Sequence, residues 1–276
     1  MGSVDIRYKG KPKMITSDKM SNEEYHAHPA LSSSAIKTVA TKSLAHWKGQ
    51  VRKESPAFAL GSAVHAELLE PEKQLLVRGP ESRRGKIWSE GKVEAEVQGK
   101  IFLTEADYDL AKEMSDACLE NTMANQLLTN PEMIAEASFF ATCPDTGLEL
   151  KTRPDGLIID AGIALDVKTT QDVSPQGFDR TIRSFGYDLQ AAFYMYVLKL
   201  SDVPTKNFIF IGIEKEKPHV TACYELSEIY LRHAHNRMMD TLHIIKKAQE
   251  DNHYGTQWPE LGTVHLPAWM DSESAF

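Results

Sequence analysis

Between residues 148 and 168 the chain alternates short runs rich in Leu and Ile with clusters of turn residues. Residues 148–159 and 163–168 read as two strands joined at Asp160-Ala161-Gly162 in an antiparallel hairpin. With Asp160 and Ala161 as a two-residue loop, Ile159 faces Gly162 and Asp155 faces Asp166. A three-residue loop with Gly162 left-handed would shift that pairing by one. Opposed residues have Cβ atoms ~5 Å apart. Lys168, two positions beyond Asp166, leaves the same face of the strand.

Elsewhere the helical period prevails. Ser21-Asn22-Glu23-Glu24 is a capping-box pattern opening a short helix, and Ser32-Ser33-Ser34 caps a second over 35–47. Phe58, Leu60, Ala63, Val64, Leu68 and Leu69 predict a helix over 58–69 that Pro71 ends. His65 lies within it and, by itself, reads as a packed core histidine. One long helix is expected over 104–128, with Leu110, Met114, Ala117 and Cys118 as a core stripe. Residues 136–142 predict a strand, with Glu136 either facing a metal or solvating the strand end. Ser174-Pro175 opens a helix, and a further helix over 187–200 puts Gln190 and Tyr194 on one face. Strands follow at 207–214 and 220–224, then a long helix over 227–249. Residues 1–15 read as an extended arm, and the tail from Trp258-Pro259 to Pro267-Ala268-Trp269 as a docked one.

Composition narrows the class. With 276 residues, 42% of them hydrophobic and 25% charged, the chain has the composition of a globular protein and the length of one large domain or two small ones. The elements read along the chain are expected to form one α/β domain, a mixed central sheet flanked by helices. Its expected parts are an N-terminal arm and helical layer over 1–57, a core over 58–224, and a C-terminal helix and tail over 225–276. No apolar run reaches the length of a membrane span and no signal peptide is visible, so no membrane partner is expected. Cys118, Cys143 and Cys223 are dispersed and odd in number. They point to a reducing, cytoplasmic setting without a disulfide framework, zinc site or iron–sulfur site. The net charge of −8 argues against a broadly basic nucleic-acid surface. Local basic patches, or cations bridging carboxylates to phosphates, still hold DNA on acidic proteins. The densest basic stretch runs from Arg78 through Arg83, Arg84 and Lys86 to Lys92, with Trp88 inside it. Two readings stay open there: a solvated surface loop, or phosphate contact with base stacking at a DNA end.

The hairpin carries the chemistry. Two carboxylates and a lysine on one face suit a hard dication with oxygen ligands, which activates water and clamps a phosphate. The lysine then positions the water or stabilises the charge that develops. Pro154-Asp155, a spacer and Asp166-Val167-Lys168 resemble the PD-(D/E)xK nuclease signature. Short matches of this kind are common on edge strands; Arg153, the hairpin and Thr169-Thr170 add weight. Gly61-x-x-x-His65 upstream and Gln190-x-x-x-Tyr194 downstream complete the motif order of the RecB-like branch. The stretches 21–26, 60–72, 153–155, 166–170, 190–194 and 258–259, with Leu266-Pro267, are similar to the RecE-type recombination exonucleases, the exodeoxyribonuclease VIII family. Together they span nearly the whole chain.

The resemblance implies a restriction-endonuclease-like fold in which His65 joins Asp155 and Asp166 as metal ligands, with the main-chain carbonyl of Val167. It implies Mg²⁺ as cofactor, with Mn²⁺ able to substitute. Gln190 and Tyr194 would orient Lys168, a water or the scissile phosphate. Thr169 and the basic residues Arg83, Arg84 and Lys86 are expected along the DNA. The activity implied is degradation of one strand of linear double-stranded DNA from its 5′ end. The 3′ strand would pass to a single-strand annealing protein for recombination, and the enzyme would be a homo-oligomeric ring, commonly a tetramer. Two alternatives remain. A Cas4- or AddB-like nuclease usually holds an iron–sulfur cluster on four cysteines. A catalytically silent DNA-binding protein of the same fold would not need the intact set of Asp155, Asp166 and Lys168.

Overall fold

The computed structural model describes residues 14–15, 19–50, 56–203, 205–256 and 258–266. After β1 (Met14–Ile15), Ser21 Oγ accepts the Glu24 N–H at 3.1 Å and the Glu24 carboxylate accepts the Ser21 N–H at 2.7 Å. This capping box opens α1 (Asn22–Ala27). The buried Lys151 ammonium donates to the carbonyls of Tyr25 at 2.6 Å and His28 at 2.7 Å, at the electronegative end of that helix. The helix expected over 35–47 is two, α2 (Ser33–Thr41) and α3 (Leu44–Lys48). Lys42 leaves helical geometry, and Ser43 Oγ accepts the His46 N–H at 3.2 Å to begin the second.

α4 (Pro56–Leu69) lies where its apolar pattern put it. The turn-rich basic stretch does not continue as loop. β2 (Leu76–Arg78) and β3 (Ile101–Leu103) form a small parallel pair, and between them α5 (Lys86–Val97) starts directly after Gly85. Residues 104–128 also divide, into α6 (Glu105–Glu120) and α7 (Thr122–Leu128). Asn121 makes the break: its Oδ1 accepts the Ala124 N–H and its Nδ2 donates to the Thr221 carbonyl, both at 3.0 Å.

The sheets are built from β4 (Ile134–Ala135), β5 (Ser138–Thr142), β6 (Glu149–Thr152), β7 (Gly156–Ile158) and β8 (Ile163–Thr170). After α8 (Pro175–Phe185) and α9 (Tyr187–Leu200) come β9 (Asn207–Glu214), β10 (Thr221–Glu225) and α10 (Glu228–Glu250). The main sheet has the order β10-β9-β8-β7-β4, with β8 and β9 parallel and the other pairs antiparallel. A smaller sheet has the order β1-β5-β6. In the β7–β8 hairpin Gly156 faces Leu165 and Ile158 faces Ile163, the register that carries Asp155 toward Asp166. The turn spans 159–162 and is closed by the Gly162 N–H donating to Ile159 O at 2.9 Å. Gly162 is left-handed, at φ 68°, yet the register holds because the turn widens by one residue on each side.

Two expected strands turn out to be interrupted. Residues 148–159 break at Pro154, which has no N–H for a ladder, and β6 and β7 belong to different sheets. Residues 136–142 begin pairing only at Ser138, and Glu136 sits at φ 52° between β4 of the main sheet and β5 of the small one. The chain therefore crosses between sheets twice. The crossings touch: the Glu136 N–H donates to Asp155 O at 3.1 Å.

Alternation along β8 and β9 separates two cores. Ala164, Phe208 and Phe210 pack with Ile36, Phe193, Met238 and Leu242 from α2, α9 and α10. Leu165, Val167, Ile211 and Ile213 pack with Val64, Leu103 and Met114 on the other face. Helices thus cover both faces of a mixed sheet, the α/β class expected. Asp166 and Lys168 share the parity of Ala164 and so point toward α9. In the tail, the Trp258 ring lies 5.7 Å from that of His46, while Leu261 and Val264 are exposed. Pro267, Trp269 and most of the N-terminal arm lie outside the described residues. No described helix is long and apolar enough to cross a membrane.

Candidate active site

Each crossing between the sheets delivers a carboxylate to one spot. Glu136, Asp155 and His65, the last from α4, present ligand-capable atoms that all lie within 4.8 Å of one another. His65 Nδ1 is 3.4 Å from Asp155 Oδ2, and that oxygen also accepts the Val167 N–H at 2.7 Å. Burial, and then the charge of Asp155, push the Glu136 carboxyl up to about 8. Burial and the charge of Asp166 raise Asp155 to about 6, against the pull of His65, Lys168 and the Val167 amide. Two half-buried carboxylates that each make the other costlier to ionise form a site that a dication would relieve. The carboxylate oxygens suit Mg²⁺ or Mn²⁺, and the imidazole nitrogen suits Mn²⁺ somewhat better.

His65 thus lies beside Asp155, with which the resemblance groups it, and Glu136, expected either to face a metal or to solvate the strand end, lies beside both. Asp166 is not one of the three. It is 1% exposed, and its carboxylate is engaged by Lys168 Nζ and by Gln190 Nε2 at 2.8 and 3.0 Å. Burial alone would lower the pKa of Lys168, but Asp166 and Asp155 outweigh it and raise the value, so the ammonium stays charged. It lies 4.8 Å over the Tyr187 ring. Gln190 is held from its other end by Lys37 of α2, whose Nζ donates to Oε1 at 3.0 Å. An ammonium only donates and a carboxylate only accepts, so these two neighbours settle which way the amide points. Burial, and then Lys168, pull Lys37 down to about 8.

Lys37 is the functional candidate that sequence reasoning missed, because its partner lies 153 positions away and nothing local marks it. Arg153 is similar. Buried, it donates to Ser138 Oγ at 2.7 Å and Met20 O at 3.0 Å, stacks 4.3 Å over Tyr25, and comes within 3.9 Å of Glu136. It thereby sets the Glu136 side of the cluster. Tyr194 shares the α9 face with Gln190 but packs edge-on against Phe208, with its hydroxyl toward Ser33. Burial holds that hydroxyl well above its ordinary pKa.

The expected DNA contacts divide. Thr169 is half-buried beside Gly61 of α4. Arg83 donates to Asp107 at 2.8 Å and lies 5.5 Å over the Trp88 ring. Arg84 is exposed, and Lys86 opens α5 with its ammonium 3.5 Å from Glu90 one turn on.

This architecture, a mixed sheet with the acidic hairpin and a neighbouring lysine, is that of the PD-(D/E)xK nuclease superfamily. The chain belongs to the family described as PDDEXK-like domain of unknown function (DUF3799), which matches residues 32–260. Among solved structures, a candidate exonuclease from Eubacterium rectale shares the fold at TM-score 0.61 and 15% identity, over 93% of this chain and 97% of that one. A phage-related exonuclease from Haemophilus somnus aligns over 83% of this chain and 98% of its own at 11% identity and a TM-score of 0.36. No curated protein matches.

The raised carboxyls predict a pH-dependent cost of folding. Glu136 ionises near 4.5 when unfolded and near 8 when folded, so the cost is absent below about 4.5 and grows as pH rises toward 8. Calorimetric scans in chelator should show the protein losing thermal stability from pH 5 to pH 8. Glu136→Gln should flatten that loss and raise Tm at pH 8 by about 5 °C. An unchanged Tm at pH 8 would show that the Glu136 charge costs nothing.

Proposed function

We propose that the chain is a divalent-metal-dependent exodeoxyribonuclease of RecE type that shortens one strand of linear duplex DNA from its 5′ end. The observation that carries the hydrolytic part is the cluster of His65, Glu136 and Asp155 beside the Asp166–Lys168 pair. The polarity and the choice of duplex ends rest on the order of the motifs from His65 to Tyr194. The reading extends to a ring, commonly a tetramer, working in the cytoplasm beside a single-strand annealing protein that takes the 3′ strand. Three cysteines fall short of the four thiolates an iron–sulfur cluster takes, which disfavours the Cas4- or AddB-like alternative.

In this reading His65, Glu136 and Asp155 would hold Mg²⁺, or Mn²⁺ in its place, with Asp166 and the Val167 carbonyl adjoining. Bound there, the cation would supply a water of lowered pKa and draw off charge from the phosphate. Lys168 contributes a fixed ammonium for the phosphoryl oxygens or the attacking water. Asp166 holds that ammonium in place, Gln190 holds Asp166, and Lys37 holds Gln190. Lys37→Met should lower kcat about 10-fold with KM little changed, the usual scale for a group that orients the inner residues. Lys37→Arg should recover part of the loss. A wild-type kcat in Lys37→Met would remove Lys37 from the machinery.

End-labelled linear duplex with Mg²⁺ tests polarity. A 5′ label should be released from the first time points while a 3′ label stays on long strands, and closed circular duplex should persist. Early release of the 3′ label would overturn the polarity. Cutting of closed circles as fast as linear DNA would overturn the need for an end.

A further inference from the structure

We propose that a second cavity beside the acidic cluster receives an unpaired nucleotide of the strand whose phosphate lies at that cluster. The cavity measures about 430 Å³, within the ~300–1,000 Å³ of typical ligand pockets. It adjoins the 360 Å³ cavity that contains His65, Glu136 and Arg153, and Ser62 and Ile101 line both. Ser62 and His65 are three residues apart on one face of α4, ~4.5 Å along its axis. A strand with a phosphate at His65 therefore has its neighbouring nucleotide within reach of the second cavity.

The lining is suited to such a unit. Phe58, Trp88 and Phe102 supply aromatic walls, and Phe58 is 52% exposed. The Phe102 ring is seated closely: a Cβ at Gly91 would overlap it, and one at Gly79 would come within 2.8 Å. Trp88 lies 5.0 Å from Phe102 with the Arg83 guanidinium 5.5 Å over its ring, so a base that stacks on Trp88 takes the place of Arg83 there. Arg83, Lys92 and Lys100 line the cavity with Glu96, and Arg83 is also paired with Asp107 at 2.8 Å, so the lining with that partner carries one net positive charge. A chain of net charge −8 repels a polyanion over much of its surface, so this local excess is where a strand can approach. Aromatic walls with lysines take any base by stacking and the backbone by charge. Bases inside a duplex hide their faces against each other, so the occupant is an unpaired unit. Arg84 and Lys86 do not line the cavity, which sorts the basic stretch into a working part and a solvated one. The identity of the strand rests on the nuclease reading; the binding chemistry does not.

The test is binding of a labelled oligothymidylate, followed by anisotropy in EDTA so that cleavage cannot intervene. Wild-type protein should bind with an affinity that falls as salt rises. Combining Lys92→Glu with Lys100→Glu should weaken binding at least about 10-fold, and Trp88→Leu about 10-fold, on the scale of one stacked base. A fully abasic oligomer should feel the charge reversals but not Trp88→Leu. Wild-type affinity in the Lys92/Lys100 variant, or equal loss of abasic and intact oligomer in a folded Trp88→Leu, overturns the proposal. If Trp88→Leu fails to fold, the surface charge reversals decide. Binding that follows these rules in a protein that cleaves nothing with Mg²⁺ or Mn²⁺ would overturn the nuclease reading and leave the pocket standing.

Discussion

Asp155→Asn is expected to abolish divalent-cation binding and strand cleavage together, lowering the rate at least about 10³-fold. Asp155 is the residue through which the parts of the site communicate. Its Oδ2 faces His65 Nδ1 at 3.4 Å and accepts the Val167 N–H at 2.7 Å, and its charge raises the pKa of Glu136 and of Lys168. Asparagine has the same shape and retains an oxygen for the Val167 amide, so the hairpin should persist. What disappears is the negative charge. Without it Glu136 ionises more easily, and the metal-free variant should melt at or above the wild-type temperature. Calorimetric titration with Mn²⁺, beside a rate measurement on linear duplex, checks both halves. Metal affinity and rate within a few-fold of wild type would remove Asp155 from the centre of the site.

Lys168→Met should do the opposite with the metal. Dication binding should survive while turnover falls about 10²-fold or more, the usual scale for one charge aimed at the transition state. Methionine keeps much of the stem against Tyr187 and removes the ammonium. It also leaves Asp166, 1% exposed, with Gln190 as its remaining side-chain partner among the described residues. Breaking a buried pair in this way costs about 3–5 kcal/mol. The variant should therefore lose stability. Lys168→Arg is not a rescue, because a planar fork does not replace a compact ammonium held against one carboxylate. Loss of Mn²⁺ binding in Lys168→Met would show that the lysine supports the cation rather than the reaction.

What could be read from the sequence was local, and what could not was long-range. The capping box at Ser21 and Glu24 and the bounds of α9 and β9 depend on neighbours in the chain, and the register across Gly162 is one of the two that the turn residues allowed. The breaks at Lys42 and Asn121 were missed because the apolar stripe continues past them. A single capping side chain, Ser43 or Asn121, is what divides each helix. The change of sheet at Pro154 was missed although proline announces it, because the flanking residues are equally strand-like on both sides. Glu136 could be placed at a strand end, but its conversion into a partner of Asp155 needs both crossings to meet in space. Lys37 carries no local signal at all. The nuclease motif was therefore legible as a set of residues, while their division into an acidic cluster with His65 and a lysine relay depended on the fold.

The measurement that bears most directly on the central claim is hydrolysis of linear duplex DNA while Mg²⁺ is titrated against a chelator, with Asp155→Asn alongside. Cleavage should appear with the cation, stop when it is withdrawn, and be absent from the variant at every cation level. Cleavage that continues at full rate in chelator, or a folded wild-type protein that leaves the duplex intact at all levels of Mg²⁺ and Mn²⁺, would contradict the claim.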